Sequence, residues 1–155
     1  MPKQTPVIPQ VFQLKITVRG LRPPIWRRLL VSSDTDLGKL HQILQVLMGW
    51  ADYHLHQFTA AGREYSLPMF QLGATDERRV KLGHLITGPN FGMEYEYDFG
   101  DSWEIAIVVE KILPFDDKEP LPRVIAGKRA GPLEDSGGPW GYADLVRILK
   151  DPSDP

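Results

Sequence analysis

The 155-residue chain has 42% hydrophobic and 25% charged residues, and a formal charge of −2, as expected for one folded globular domain. It contains no cysteine, which excludes disulfides and thiolate metal sites. The N-terminal residues lack the apolar run of a signal peptide, and no stretch is long enough to span a membrane. We therefore expect a cytoplasmic location.

The charge is distributed unevenly along the chain. Residues 1–50 carry seven basic and two acidic side chains, whereas residues 90–122 carry nine acidic and two basic ones, so their net charges are +5 and −7. Three arrangements account for this asymmetry: two solvated edges of one fold, self-association through the opposite charge patches, or docking of an unknown protein partner with basic character.

The first predicted elements are two strands. Residues 1–10 are a proline-containing lead-in. Over residues 11–20, the apolar and polar side chains alternate, which predicts a half-buried strand. Its apolar face comprises Phe12, Leu14, Ile16 and Val18. Turn residues follow at Gly20–Pro24, and residues 25–31 predict the second strand of an irregular hairpin.

Residues 32–50 have the clearest helical pattern in the sequence. Asp34, Thr35 or Asp36 can cap the helix, and Gly49 is placed to end it in the left-handed conformation. The predicted apolar stripe comprises Leu37, Leu40, Ile43, Leu44 and Leu47. This spacing predicts a helix that packs one face against a sheet.

The second half of the chain predicts further strands. Residues 54–67 indicate a hairpin, 68–81 a polar loop and 81–87 a short corner. Residues 92–113 indicate two strands joined at Gly100, where we expect a positive φ. The predicted buried face of the first of them comprises Met93, Tyr95, Tyr97 and Phe99. A proline- and charge-rich excursion follows over 114–139, then a short helix over 143–149 and a frayed tail over 151–155.

This order of elements predicts an α+β fold in a single domain over residues 11–150. We expect a mixed β-sheet with one main helix packed across it and a short C-terminal helix. By analogy, the element order is β-grasp-like.

Two histidines near the start of the predicted second hairpin suggest a metal site. On a strand, His54 and His56 would leave the same face and reach one ion, with Asp52, Asp98 or Asp101 as oxygen ligands. Hydrogen-bonded surface histidines are a more common explanation of such a pair. We therefore predict no metal and no other cofactor.

Three acidic or histidine-containing segments are the candidate surface for a ligand or partner. They are the strand with His54 and His56, the turn with Asp98 and Asp101, and the Glu134–Asp135 part of a Gly/Pro-rich loop. If the fold brings them together, they form one polar site. No Ser/His/Asp set can be assembled from spacing alone, and we predict no catalytic residue.

A basic segment offers a second candidate surface. Arg19, Arg22, Arg27 and Arg28 could contact phosphates, and Trp26 could stack on a base. Because the cluster is small and neighbouring strand residues face opposite ways, a solvated edge with Trp26 in the core is preferred to nucleic-acid binding.

Four segments together resemble the open-reading-frame-three family of the root-inducing plasmid (pRi), whose members are also labelled transposon passenger proteins of TnpR type. They are LKITVRGLRPPIWRRLLV, LGKLHQILQVLMGWADYHLHQF, YEYDFGDSWE and IAGKRAGPLEDSGGPWGY. The resemblance spans residues 11–150 and implies one α+β domain with a strongly curved sheet. Relatives often carry histidine at the position of Ile105, and cysteine at those of Val124, Gly131 and Ser136. Any metal or redox site of theirs would be incomplete here.

The sequence therefore predicts a small, cytoplasmic, non-enzymatic binding or interaction domain, associated with plasmids or transposable elements. One alternative is a nucleic-acid-associated accessory protein that uses the basic segment. The other is a degenerate metal-dependent hydrolase.

Overall fold

The computed structural model describes residues 5–134, 138, 139 and 142, and eight strands in this part of the chain form one sheet. The strands are β1 Gln10–Val18, β2 Trp26–Ser32, β3 His56–Ala60, β4 Arg63–Ser66, β5 Thr75–Asp76, β6 Gly92–Tyr97, β7 Trp103–Pro114 and β8 Arg123–Lys128. Their spatial order is β5-β4-β3-β6-β7-β1-β2-β8. The β4–β5 pair is parallel and the other pairs are antiparallel, so the sheet is mixed as predicted.

The main helix, α1, spans Leu37–Met48, and both of its predicted ends are confirmed. Asp36 caps the N-terminus, because its carboxylate accepts the Lys39 N–H at 2.8 Å. Gly49 ends the helix at φ 73°, and its N–H bonds to the carbonyls of Gln45 and Val46. A short helix, α2, spans Leu82–Leu85, and 3₁₀ turns span Pro68–Phe70 and Glu77–Arg79.

The α+β class is confirmed, whereas the β-grasp-like order is not, because the described strands form an eight-stranded sheet. Part of this difference is β8, which lies inside the predicted excursion and pairs with β2 at the sheet edge. Most of its side chains are exposed. An edge strand that is exposed to solvent on both faces has no alternation of apolar and polar residues, so the sequence pattern could not predict it.

The core lies between α1 and the inner face of the sheet. Alternation in β1 and β7 is confirmed, since Leu14, Ile16, Ile105 and Ile107 are all fully buried. On α1 the buried face is rotated from the predicted stripe. It comprises Leu37, Leu40, His41, Leu44, Gln45 and Met48, and the expected Ile43 and Leu47 are only partly buried.

The turn between β6 and β7 differs from the prediction in two ways. The positive φ values occur at Asp98 (60°) and Ser102 (56°) rather than at Gly100. Phe99, expected in the core, is 37% exposed. Both differences have one cause: β6 ends at Tyr97, so the residues after it no longer follow strand alternation.

Several predicted features lie outside the described residues: the start of the lead-in, Asp135, the helix over 143–149 and the tail over 151–155. Among the residues that are described, no helix combines the length and apolar character needed to cross a membrane.

Candidate functional site

Three of the predicted segments meet at one end of the sheet. His54 Nε2 lies 3.4 Å from Asp98 Oδ2 and 3.6 Å from Glu134 Oε2. The side chains are 29%, 11% and 14% exposed, respectively, so the group lies at the surface without projecting from it. We call His54, Asp98 and Glu134 the rim cluster.

The β6–β7 turn holds Asp98 in place through its backbone. The Asp98 N–H donates to the Leu55 carbonyl at 2.9 Å, which fastens the turn to the segment that carries His54. The Asp101 N–H donates to Asp98 Oδ1 at 3.3 Å. A left-handed φ at Asp98 is compatible with this arrangement, because short polar side chains that bond to nearby backbone tolerate that region.

Glu134 reaches the cluster from the distant 131–134 segment. Its Oε1 accepts the Ala51 N–H at 2.9 Å, and its Oε2 accepts the Tyr97 hydroxyl. Tyr97 in turn accepts the Tyr53 N–H at 2.9 Å. Burial, followed by the hydrogen bond to Glu134, raises the pKa of Tyr97 well above its ordinary value. Tyr97 therefore remains a neutral donor to the carboxylate at physiological pH.

His56 does not join His54, although the two are separated by one residue. Strand β3 begins at His56, so His54 lies before the strand and the expected shared strand face does not form. The His56 ring is fully buried, and its Nε2 lies 2.7 Å from Glu77 Oε1, itself 1% exposed. The His56 ring also stacks on His41, with ring centroids 3.5 Å apart and planes 9° apart.

His41 continues this group of buried polar side chains toward the surface. Its Nδ1 lies 2.7 Å from the Tyr95 hydroxyl, and its Nε2 lies 2.9 Å from Asp52 Oδ1. Burial and the adjacent His56 lower the pKa of His41 from 6.5 to about 4, against the opposing effect of Asp52. We call His41, Asp52, His56, Glu77 and Tyr95 the interior cluster.

Gln45 fixes the direction of one contact in the interior cluster. Its Oε1 accepts the Asp52 N–H at 2.9 Å, so its amide nitrogen is the group that donates to the Tyr95 hydroxyl, also at 2.9 Å.

One ring nitrogen of His41, one of His56 and a carboxylate oxygen of Asp52 lie within 4.8 Å of one another. This is a spacing from which a metal ion could be bound.

His41 and Glu77 were not among the residues predicted from the sequence. Helical spacing could have predicted the burial of His41, because it lies four residues after Leu37 and three before Leu44 and therefore shares their buried helix face. No such spacing applies to Glu77. It belongs to a short 3₁₀ turn, and only tertiary packing places it beside His56.

The basic segment is largely engaged within the protein. Arg19 Nε donates to Glu94 at 3.0 Å, and Arg28 Nε donates to Glu110 at 2.7 Å. Arg27 donates to the backbone carbonyls of Trp26 and Lys128, and Arg22 is exposed. The positive and negative segments of the sequence thus meet on one sheet, where some of their charges pair.

Trp26 is neither in the core nor open for base stacking. It is half-buried, with Lys15 Nζ 5.3 Å and Arg28 Cζ 5.1 Å from its ring centroid. These two cations occupy the ring in cation–π contacts, which corrects the expectation that Trp26 fills the core.

Residues 10–155 match the family model described as plasmid pRiA4b ORF-3-like protein. The chain is 36% identical over 151 residues to the uncharacterized protein y4hQ of Sinorhizobium fredii, which covers 95% of this chain and 77% of that protein. It is similar to the crystal structure of a protein of unknown function, MM3350, from Methanosarcina mazei. That similarity has a TM-score of 0.86 and 36% identity, over 94% of this chain and 84% of the other.

Proposed function

Because this chain belongs to the plasmid pRiA4b ORF-3-like family, we propose from its geometry that it is a non-enzymatic protein-binding domain associated with plasmids or transposable elements. The binding surface is the rim cluster together with the apolar side chains beside it. The partner is a polypeptide that places a basic side chain next to an apolar one, and the site of action is the cytoplasm.

The observation that carries this proposal is the exposure of large apolar side chains next to each member of the rim cluster. Tyr53 and Leu55 flank His54, and they are 78% and 40% exposed. Phe99 follows Asp98 and Leu133 precedes Glu134, and they are 37% and 56% exposed. Because the cluster members contact one another, these side chains belong to segments that meet at one polar centre. Exposed apolar groups collected in this way are typical of protein interfaces.

The charge of the centre indicates the chemistry of the partner. Asp98 and Glu134 are two carboxylates beside a single histidine, and Asp101 and the partly exposed Asp52 lie in adjoining segments. A lysine or arginine side chain would complement this charge. Its apolar neighbour would cover Tyr53 or Phe99, and aromatic side chains at such positions often contribute most of the binding energy.

A random peptide library selected against the wild-type protein tests the proposal. We expect enriched peptides that combine basic and apolar residues and whose affinity falls as ionic strength rises. In fluorescence-anisotropy titrations, the double variant Tyr53→Ser, Phe99→Ser should bind them at least about tenfold more weakly. Neutralising the acidic centre with Asp98→Asn should also weaken binding.

Matched controls lie away from the rim cluster. Met69→Ser removes an apolar side chain that is 73% exposed, and Asp117→Asn removes an exposed acid. Both should bind the selected peptides as the wild type does. The proposal is wrong if the library yields no binder, or if the controls weaken binding as much as the rim variants do.

A further inference from the structure

The interior cluster contains a buried ring nitrogen whose hydrogen-bonding capacity is not used. His56 Nδ1 has no hydrogen-bond partner among the described residues, and the residue is 0% exposed. A buried polar atom left without a partner destabilises the folded protein. In a native protein such an atom calls for a partner that the polypeptide itself does not provide.

The atoms around His56 Nδ1 are metal ligands in type and spacing. We propose that His56 Nδ1, His41 Nε2 and the Asp52 carboxylate bind one divalent transition-metal ion of the zinc class. The three residues place one ligand atom each within 4.8 Å of the others. Because the two rings stack with their planes 9° apart, one imidazole must rotate for both lone pairs to reach one ion. Imidazole nitrogen and carboxylate oxygen are the ligands that such ions take.

The other nitrogen of each ring has an outer partner of the kind that metal sites use. Glu77 Oε1, 2.7 Å from His56 Nε2, is placed to accept that N–H and so leaves the Nδ1 lone pair available. The Tyr95 oxygen lies 2.7 Å from His41 Nδ1, and when that nitrogen carries the proton, the lone pair of His41 Nε2 is available to the ion. Outer partners of this kind orient ligand histidines and raise their basicity.

The position of Asp52 gives the site an open side. Its side chain is 55% exposed, whereas that of His41 is only 4% exposed. The two histidines therefore form the protein-facing side, and the carboxylate closes the site toward solvent. Three protein ligands leave a fourth position for water or for an incoming group.

Metal binding would connect three separate parts of the fold. His41 belongs to α1, His56 begins β3, and Asp52 lies in the segment between them that leads to Tyr53 and His54. An ion at this point would fix the segment that supplies the rim cluster. The inference does not depend on the proposed partner, since its test needs no peptide.

The test is a metal titration of untagged protein that has been treated with a chelator and dialysed. We expect one equivalent of Zn²⁺ to bind in calorimetry, and Co²⁺ to bind with visible absorption bands that report nitrogen and oxygen ligands. Zinc should also raise the thermal unfolding midpoint, because it binds only the folded state. Mg²⁺ should do neither. The inference is overturned if neither Zn²⁺ nor Co²⁺ binds the wild type.

Variants locate the site. Asp52→Asn keeps the size and suits the left-handed φ of 59° at this exposed position, so it should fold and yet bind zinc at least about tenfold more weakly. His56→Gln should lose binding if circular dichroism shows that it is folded. His54→Gln and His84→Gln, outside the cluster, should bind as the wild type does. Wild-type affinity in Asp52→Asn, or loss only in His54→Gln, would place the ion elsewhere and refute the inference.

Discussion

The two histidines of the His-x-His motif show that the same side chain can have very different surroundings two residues apart in the sequence. Each lies beside a carboxylate: His56 beside Glu77 at 2.7 Å, and His54 beside Asp98 at 3.4 Å. The first pair is fully enclosed, whereas the second borders solvent. Burial therefore separates the two pairs: the enclosed pair lies beside His41, whose pKa it helps to lower, whereas the rim pair is in contact with solvent.

The largest difference between the clusters should appear when each loses an acid. Glu77→Ala leaves the buried His56 Nε2 without its partner and opens a cavity, and we expect these two effects together to lower the free energy of unfolding by about 3–5 kcal/mol. Glu134→Ala removes hydrogen bonds that water can partly replace, so about 1–2 kcal/mol is expected. Urea titrations followed by tryptophan fluorescence, with chelator present, measure both values.

The informative quantity is the difference between the losses of unfolding free energy in these two variants. If Glu77→Ala does not fold, Glu77→Gln, which keeps a hydrogen-bonding oxygen in the same place, should fold and show a smaller loss. Equal losses for Glu77→Ala and Glu134→Ala would show that burial does not distinguish the two clusters.

A pH series should reveal a somewhat smaller difference between the clusters in the free energy of unfolding. The pKa of His41 is lowered to about 4 in the folded protein from an ordinary 6.5. Between these values the unfolded chain binds a proton that the folded protein does not. The contribution of His41 to the free energy of unfolding is therefore complete above pH 6.5, and it declines as the pH falls toward 4. Its total is on the order of 3 kcal/mol.

After burial, His56 on β3 lowers the pKa of His41, and Asp52 in the segment that follows α1 opposes it. Tyr95 on β6 also contacts His41, and Glu77 in its 3₁₀ turn contacts His56. With chelator present, NMR titration of the imidazole carbons should show His41 unshifted between pH 7 and 5. A midpoint for His41 near its ordinary value would contradict the prediction.

The smallest expected effect concerns how the rim cluster is assembled. A Cβ added at Gly131 would lie 2.2 Å from the Met48 carbonyl oxygen, at the end of α1. Gly131→Ala should therefore displace the 131–134 segment and cost about 1–3 kcal/mol. Because Trp50 Nε1 donates to the Pro132 carbonyl at 2.9 Å, the tryptophan fluorescence should change, and the ring resonances of His54 should shift.

Gly88→Ala is the matched control, because a Cβ there meets no atom within 4 Å. It should leave both stability and the His54 resonances unchanged. If Gly131→Ala behaves like this control, the close contact with the helix end does not position Glu134.

The local pattern of apolar and polar residues was sufficient to predict much of the fold. Alternation in β1 and β7 and the caps of α1 follow from short-range rules, because a strand alternates its faces and a helix must satisfy its end groups. The same rules failed where a strand ends. Phe99 and Asp98 follow the last residue of β6, and β8 is an edge strand without a buried face.

The sequence by itself determined the α+β class, the main helix and the family, because these depend on spacing between near neighbours and on segments that can be compared directly. It also identified His54, Asp98 and Glu134 as members of one candidate surface, provided that their segments converge. Only the tertiary structure decided that they do meet, and that His56 turns inward to Glu77 and His41. These partners are brought together by packing, and burial, which sets their chemistry, is a property of the whole fold.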